Sequence, residues 1–385
     1  MNYLLCKKWR CLDELIKSPN GFDFIVRAII GCTYKSTVRE GKDEREVKNA
    51  LIRMLNSSLI DVDKLDYILR DSVLSGYRNV EMDLPRLTSS IILSRKRDSS
   101  GIWPMYKHSA QSVIENVFTA RNNELRWIIS HNAVVYEAEI LKSCILKITG
   151  MLNIKPSDIF SYESITGKGK EIKSDKLKLK CRYLGDEDII CLLKIFYGEV
   201  PEVKEYFDRN LRKKAIWKTH SEYVALFHGE IDEIYKAFSY FLKEGADNGE
   251  ALNVINASSH SEKMKGLGKE NCEKYKMFFN CIGFDFSDAS NEGEIAFVRY
   301  DAYKFSRKID GDNVFLLYHD SEGGYKTLNE VVRFSKNESS ISDVDSDVQQ
   351  GFFVYYKPRD KNIDGITFRE QYHDLIVGRR ADTPK

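Results

Sequence analysis

The sequence predicts a mainly α protein that closes with a smaller α+β part. Two observations carry this. Apolar residues recur at three- and four-residue spacing through most of the first half, the mark of helices with one buried face. From about Pro201 the texture changes, and short β-branched and aromatic runs appear between polar turns, which reads as strands. The expected organisation is a helical domain over residues 1–195 and an α+β domain with an antiparallel sheet over residues 196–385.

Taken in order, Met1 to Lys17 reads as a helix made apolar on one face by Leu4, Leu5, Trp9, Leu12, Leu15 and Ile16, and it starts without a capping residue or polar lead-in. Phe22 to Tyr34 is broadly apolar and suggests a helix buried on most sides; Glu46 to Leu55 is periodic and stops near Asn56-Ser57-Ser58. A polar helix follows from Asp61 to Ser72, closed by Gly76. Met82 to Ser94 reads as a strand or extended pair, and Ser99-Ser100-Gly101 as a turn. Helices are expected over about Ser109–His131 and Val134–Ile148, and over Asp186–Phe196, where Asp186 and Asp188 suit the positive end of the helix dipole. Beyond these come a helix from about Glu230 to Glu244, a Gly/Ser/Lys-rich loop at Ser258–Gly268, strands at Ile295–Tyr300, Val314–Tyr318 and Gly351–Tyr356, a helix near Thr327–Phe334, and a mobile acidic loop at Asn337–Asp347.

Composition bounds the function classes. With 385 residues, 42% hydrophobic and 30% charged, the chain is globular in type and long enough for two cores. No apolar run approaches membrane-spanning length, and Lys7, Lys8 and Arg10 interrupt the apolar start, so no secretory signal is read. The net charge of +1 gives no global pull toward nucleic acid or an acidic membrane. The 8 cysteines lack paired CxxC spacing, which points to reduced thiols and a cytoplasmic location rather than a zinc site.

The most informative stretch is Asp61-Val62-Asp63-Lys64-Leu65-Asp66-Tyr67-Ile68-Leu69-Arg70-Asp71-Ser72. At helical spacing Asp63, Tyr67 and Asp71 project from one face, with Lys64 and Arg70 along its edges. A carboxylate suits a hard cation, a lysine ammonium suits a phosphate, and a tyrosine offers a flat surface with a hydroxyl. The competing interpretation is a solvated helix whose acids and bases pair with one another.

This run resembles the metal-binding helix of HD-domain phosphohydrolases, and among them the deoxynucleoside triphosphate triphosphohydrolases. The resemblance implies that Asp63 ligates a divalent metal such as Mg2+ or Mn2+, Lys64 contacts phosphate, Tyr67 packs on the nucleotide and Asp71 meets the sugar. A second match runs from Glu115-Asn116 through Arg121-Asn122 to His131, and is similar to the family helix that lines the nucleotide site. It implies Arg121 as a phosphate or sugar contact and His131 as polar lining, while Leu125 and Ile129 depart from the polar or aromatic residues of some members. An ordinary half-buried histidine is the alternative for His131. A deoxynucleotide or related phosphate is the implied ligand, and self-association the implied assembly.

The pattern is incomplete. The family's His and His-Asp metal ligands lie upstream of this helix, and no histidine precedes His108 here. His319-Asp320 and His373-Asp374 do occur, but such dipeptides arise by chance, and the first sits where a turn is the simpler reading. One carboxylate cannot hold a catalytic metal. The expectation is therefore the carboxyl-terminal portion of an HD helical bundle, truncated or completed by an N-terminal HD partner segment, and inactive alone; a non-catalytic nucleotide-binding or oligomerisation module is the alternative. Asn210 to Lys218 gathers basic residues around Trp217, which suits either nucleic-acid contact or a solvated connector anchored by its tryptophan.

Overall fold

The computed structural model describes residues 17–35, 42–56, 60–77, 81–96, 101–169, 171–174, 177–180, 185–242, 253–256, 259–286, 293–301, 313–317, 324–332, 350–357 and 362–376. Along the chain the first elements are α1 (Pro19–Ile30), α2 (Lys42–Leu55), α3 (Val62–Ser75), α4 (Leu84–Ser89), β1 (Ile91–Arg95), β2 (Ile102–Lys107) and α5 (Gln111–Glu124). A π turn, Leu125–Ile129, leads to α6 (Asn132–Met151), the hairpin β3 (Glu171–Ser174) and β4 (Leu177–Lys180), then α7 (Asp186–Ile195) and α8 (Pro201–Phe207). Next come β5 (Lys214–Ala215), α9 (His220–Leu226), α10 (Ile231–Leu242), β6 (Asn253–Asn256), α11 (His260–Lys265) and α12 (Lys269–Cys281). The chain closes with β7 (Glu294–Asp301), β8 (Phe315–Leu317), β9 (Tyr325–Thr327), α13 (Leu328–Val332), β10 (Gln350–Lys357) and α14 (Gly365–Ile376). The architecture is mainly α, with a smaller strand content.

Two compact units form, Met1–Ile128 with Tyr303–Ser346, and Ile129–Ala302 with Asp347–Lys385. The boundary expected near residue 195 falls inside the second unit.

In the first unit α1 begins on Ser18, whose hydroxyl accepts the Gly21 N–H, and ends on Gly31 in the left-handed region (φ 71°), where a side chain would be strained. Its residues Phe22, Val26, Ile29 and Ile30 are exposed, whereas a helix buried on most sides was expected. The strands order as β1-β2-β8-β9, antiparallel at both outer pairs and parallel where β2 meets β8. Two of its strands, β1 and β2, fall within the span read as the helical domain, residues 1–195. Met82–Ser94 is also only half extended: Asp83 accepts the Arg86 N–H at 3.0 Å and Pro85 occupies the first turn, two start signals that commit Leu84–Ser89 to a helix before β1. Ile60, Leu87, Tyr106, Ile114, Phe118 and Leu316 lie in the core of this unit.

The second unit carries the sheet β5-β10-β7-β6, antiparallel throughout, as the sequence predicted for this part. Tyr136, Ile140, Cys144 and Ile148 recur every fourth residue along α6 and are buried. Trp217 is fully buried among Tyr223, Phe227, Phe352 and Phe368, and its indole N–H donates to the Phe352 carbonyl at 2.9 Å. Lys213 is also buried, bridging Glu205 at 3.1 Å and Glu294 at 2.8 Å, while the Tyr136 hydroxyl donates to Glu205. Burial disfavours its ammonium, but the two carboxylates outweigh that and hold its pKa above the usual lysine value. The basic run is thus partly interior, and Trp217 is a core residue rather than a stacking platform.

Part of the loop expected at Ser258–Gly268 is helical, as α11. His373-Asp374 lies on α14, where His373 Nε2 sits 3.1 Å from the Glu230 carboxylate. Residues 1–16, His319-Asp320 and Asn337–Asp347 lie outside the described residues.

Candidate functional site

The motif helix α3 is built by its own polar ends. Asp61, in extended conformation, accepts the Lys64 backbone N–H at 2.8 Å as the N-cap, and Gly76 closes the helix in the left-handed region (φ 74°). The buried face is Lys64, Ile68 and Ser72. Lys64 therefore lies inside, not along an edge, and its ammonium reaches back to the second Asp61 oxygen at 2.5 Å. Asp61 thus serves both the helix end and the lysine charge.

Arg121 stands in the last turn of α5, where a cation complements the helix dipole. Its Nη1 donates to Glu124, three residues on, and both side chains are buried. The guanidinium carbon lies 5.0 Å from the centre of the Tyr67 ring, a cation–π contact that joins α5 to α3. The Tyr67 hydroxyl and Arg121 Nε are both buried and make no hydrogen bond among the described residues. Burial is the main reason that the Tyr67 pKa is pushed up to about 12; Arg121 opposes the rise, and Glu124, Asp61 and Asp63 add to it. The phenol is accordingly a neutral donor through the physiological range.

The structure brings Tyr67 and Arg121 together, puts Lys64 on the buried face of the helix that carries Tyr67, and adds two residues that the sequence reading missed, Asp61 and Glu124. Their signals were present: a carboxylate just ahead of a helix is a capping pattern, and Glu124 stands at i+3 from Arg121. Asp63 is exposed in the first turn of α3, close enough to act electrostatically on Tyr67. Asp71 pairs with Arg70 at 3.4 Å, and Arg70 with Asp66 at 2.7 Å, so this part of the helix matches the solvated interpretation. His131 belongs to the second unit, where it caps α6 and its Nδ1 accepts the Ala133 N–H at 3.2 Å.

A divalent cation does not fit the residues described. Asp61 is committed to Lys64, Asp63 is a single exposed carboxylate, and no group of 3 or more His, Cys, Asp or Glu side chains that could hold a metal ion occurs among the described residues. A catalytic metal site takes about three protein ligands with an open position. The arrangement can instead offer two buried donors, a phenol and a guanidinium N–H, to an acceptor-rich ligand. In the second unit a cleft of about 650 Å³ is lined by Lys204, Phe207, Asp208, Arg209, Asn210 and Leu211, at the start of the basic run. Among the described residues no helix is long and apolar enough to cross a membrane.

No protein-family model matches the chain, and no curated protein does. Solved structures do resemble it. A hypothetical protein from Aquifex aeolicus aligns at TM-score 0.45 and 14% identity over 93% of this chain, which spans 66% of that chain. A phosphohydrolase from Bacteroides thetaiotaomicron VPI-5482 aligns at TM-score 0.45 and 14% identity over 90% of this chain and 70% of that one. At this distance the neighbours' activities do not transfer.

Proposed function

We propose that the chain carries the nucleotide-facing wall of an HD-type phosphohydrolase site, similar to that of deoxynucleoside triphosphate triphosphohydrolases, and that by itself it binds a phosphorylated nucleoside without appreciable turnover. One observation supports this most directly: the Tyr67 hydroxyl and Arg121 Nε, on two side chains in cation–π contact, are both buried without hydrogen-bond partners among the described residues. Buried polar groups are nearly always satisfied, so these two donors suit an outside acceptor. Phosphate or sugar oxygens supply it. In this reading Lys64 and Arg121 hold phosphate, Tyr67 packs on the nucleoside and donates its hydroxyl, and Asp71 meets the sugar.

A bound divalent metal would polarise a phosphate and help generate hydroxide. The described residues lack the donors for it, so hydrolysis in this reading requires ligands from an HD segment carrying the His and His-Asp pair, with Asp63 as this chain's share. The non-catalytic binding module is the second reading, and the commitment of Asp61 to Lys64 favours it. Self-association belongs to the same proposal, and the exposed apolar stripe of α1 offers a surface for it.

The test is calorimetric titration of deoxynucleoside triphosphates into the chain and into Arg121→Ala and Lys64→Ala. Each loss of a sheltered, charge-assisted hydrogen bond should weaken binding by about 1.5–3 kcal/mol. Equal affinities in all three proteins would remove the site. Triphosphate release on adding the HD segment then separates the two readings.

A further inference from the structure

We infer that Glu124 is a placeholder for the ligand's phosphate: its carboxylate holds Arg121 in the free protein and gives the guanidinium up when an anion binds. The inference rests on the reading of Arg121 as a phosphate contact, and adds to it the residue that competes for that contact. Four features carry it.

Glu124 is the last residue of α5, and its side chain is only 2% exposed. A carboxylate at a helix carboxyl end meets the negative end of the dipole, and burial worsens its position. The Arg121 guanidinium is a partner that offsets this cost. The pairing is also partial, because Nη1 is engaged while Nε stays buried and unbonded, so the stronger two-bond fork is not made. A phosphate, with several oxygens, can take both nitrogens.

The same device appears on α3, where Asp61 neutralises Lys64. Each cation that the nucleotide reading assigns to phosphate therefore has an internal carboxylate, three residues away on its own chain segment. Each ion pair is neutral as it stands, so an anion meets an unopposed cation only when the pair's own carboxylate withdraws. Immediately after Glu124 the π turn starts at Leu125, so the regular helical ladder stops where the withdrawal has to occur.

Removing this carboxylate should therefore strengthen anion binding, the reverse of what the loss of a structural side chain does. Inorganic tripolyphosphate is titrated calorimetrically into the full chain and into Arg121→Ala, Glu124→Gln and Glu115→Gln, at one fixed salt concentration and after thermal melts confirm folding. Glu115 is an exposed acid of the same helix and controls for bulk charge. Glu124→Met, of similar length and uncharged, replaces Glu124→Gln should the latter not fold. The expected result is weaker binding by Arg121→Ala, binding about tenfold tighter by the Glu124 variant, corresponding to about 1.4 kcal/mol, and little change in Glu115→Gln. If Arg121→Ala weakens binding but the Glu124 variant binds equally or less well, the placeholder is overturned and the phosphate reading of Arg121 stands. Equal tightening by Glu115→Gln also overturns it, as a bulk-charge effect. If Arg121→Ala changes nothing, the phosphate reading fails and the inference falls with it.

Discussion

Tyr67→Phe should stabilise the free protein and weaken its complex, two effects of opposite sign from one oxygen. The hydroxyl is buried and unbonded, and an unsatisfied buried hydroxyl costs about 1–3 kcal/mol. Phenylalanine keeps the ring face that meets Arg121 at 5.0 Å, so the cation–π contact survives. A net gain of about 1 kcal/mol raises the melting temperature by about 2–4 °C for a unit of this size. In the proposed complex the hydroxyl would donate to a phosphate or sugar oxygen, a bond worth about 1.5–3 kcal/mol where that oxygen is charged, so affinity should fall, by about tenfold or more in that case. The pH dependence has a definite sign. The folded value, about 12, exceeds the ordinary 10.0, so the native state keeps a proton that the unfolded chain gives up. This contribution is fully present below pH 10.0 and is lost as pH rises toward about 12, so the stability advantage of the variant should widen over that window. Thermal melts across pH and calorimetry with deoxynucleoside triphosphates measure both effects. A variant that melts lower than the parent, or binds as tightly, refutes the argument that this hydroxyl awaits a ligand.

Asp63→Ala should leave stability within about 0.5 kcal/mol, because the side chain is exposed, and phosphate-release assays should find negligible turnover in either form of the isolated chain. With an HD segment supplied in trans, triphosphate release should appear and vanish again in Asp63→Ala; activity indifferent to Asp63 refutes its role. Lys213→Met leaves the half-buried Glu205 and Glu294 without their shared cation and should cost about 1–3 kcal/mol in urea unfolding, whereas adding Glu205→Gln and Glu294→Gln should recover most of the loss. Because the folded Lys213 value is raised, its contribution is complete below the unfolded value of about 10.4 and fades as pH climbs through the folded one. Trp217→Phe should destabilise by about 1–3 kcal/mol, since it shrinks a packed ring and removes the donor to the Phe352 carbonyl, yet leave single-stranded oligonucleotide affinity unchanged.

Element type was legible wherever periodicity and end signals agreed. The Asp186–Phe196 reading became α7, and Gly351–Tyr356 became the central part of β10. Met82–Ser94 is half helix because Asp83 and Pro85 start a helix even when strand-forming residues come soon after, and its apolar residues alone do not record that. The sheet of the first unit was harder to see, since β8 returns to β2 from some two hundred residues downstream, with β9 on its far side, and no local pattern records such a pairing. Trp217 shows the same limit on a smaller scale. Its neighbours in sequence are basic, while its neighbours in space, Phe352 and Phe368, are distant in the chain.

The site was legible in its word order and misread in its orientation, and the reason bears on function. Spacing placed Asp63, Tyr67 and Asp71 on one face, but the face that α3 buries is Lys64, Ile68 and Ser72, with a single apolar side chain. Val73 and Leu74 of the same helix are 78% and 77% exposed. A helix patterned only for a core would exchange these positions, because burying a lysine needs a dedicated counter-ion while two aliphatic side chains remain in water. Asp61 is that counter-ion, and Glu124 plays the same part for Arg121. Local rules broken twice in the same direction, each time with an internal carboxylate as compensation, are expected of a site rather than of a scaffold. If α3 were only structural, Lys64→Met with Asp61→Asn would keep the cap, fill the same space and cost no ligand affinity, so nucleotide binding lost by that double variant at unchanged or raised stability would assign the buried charges to the ligand.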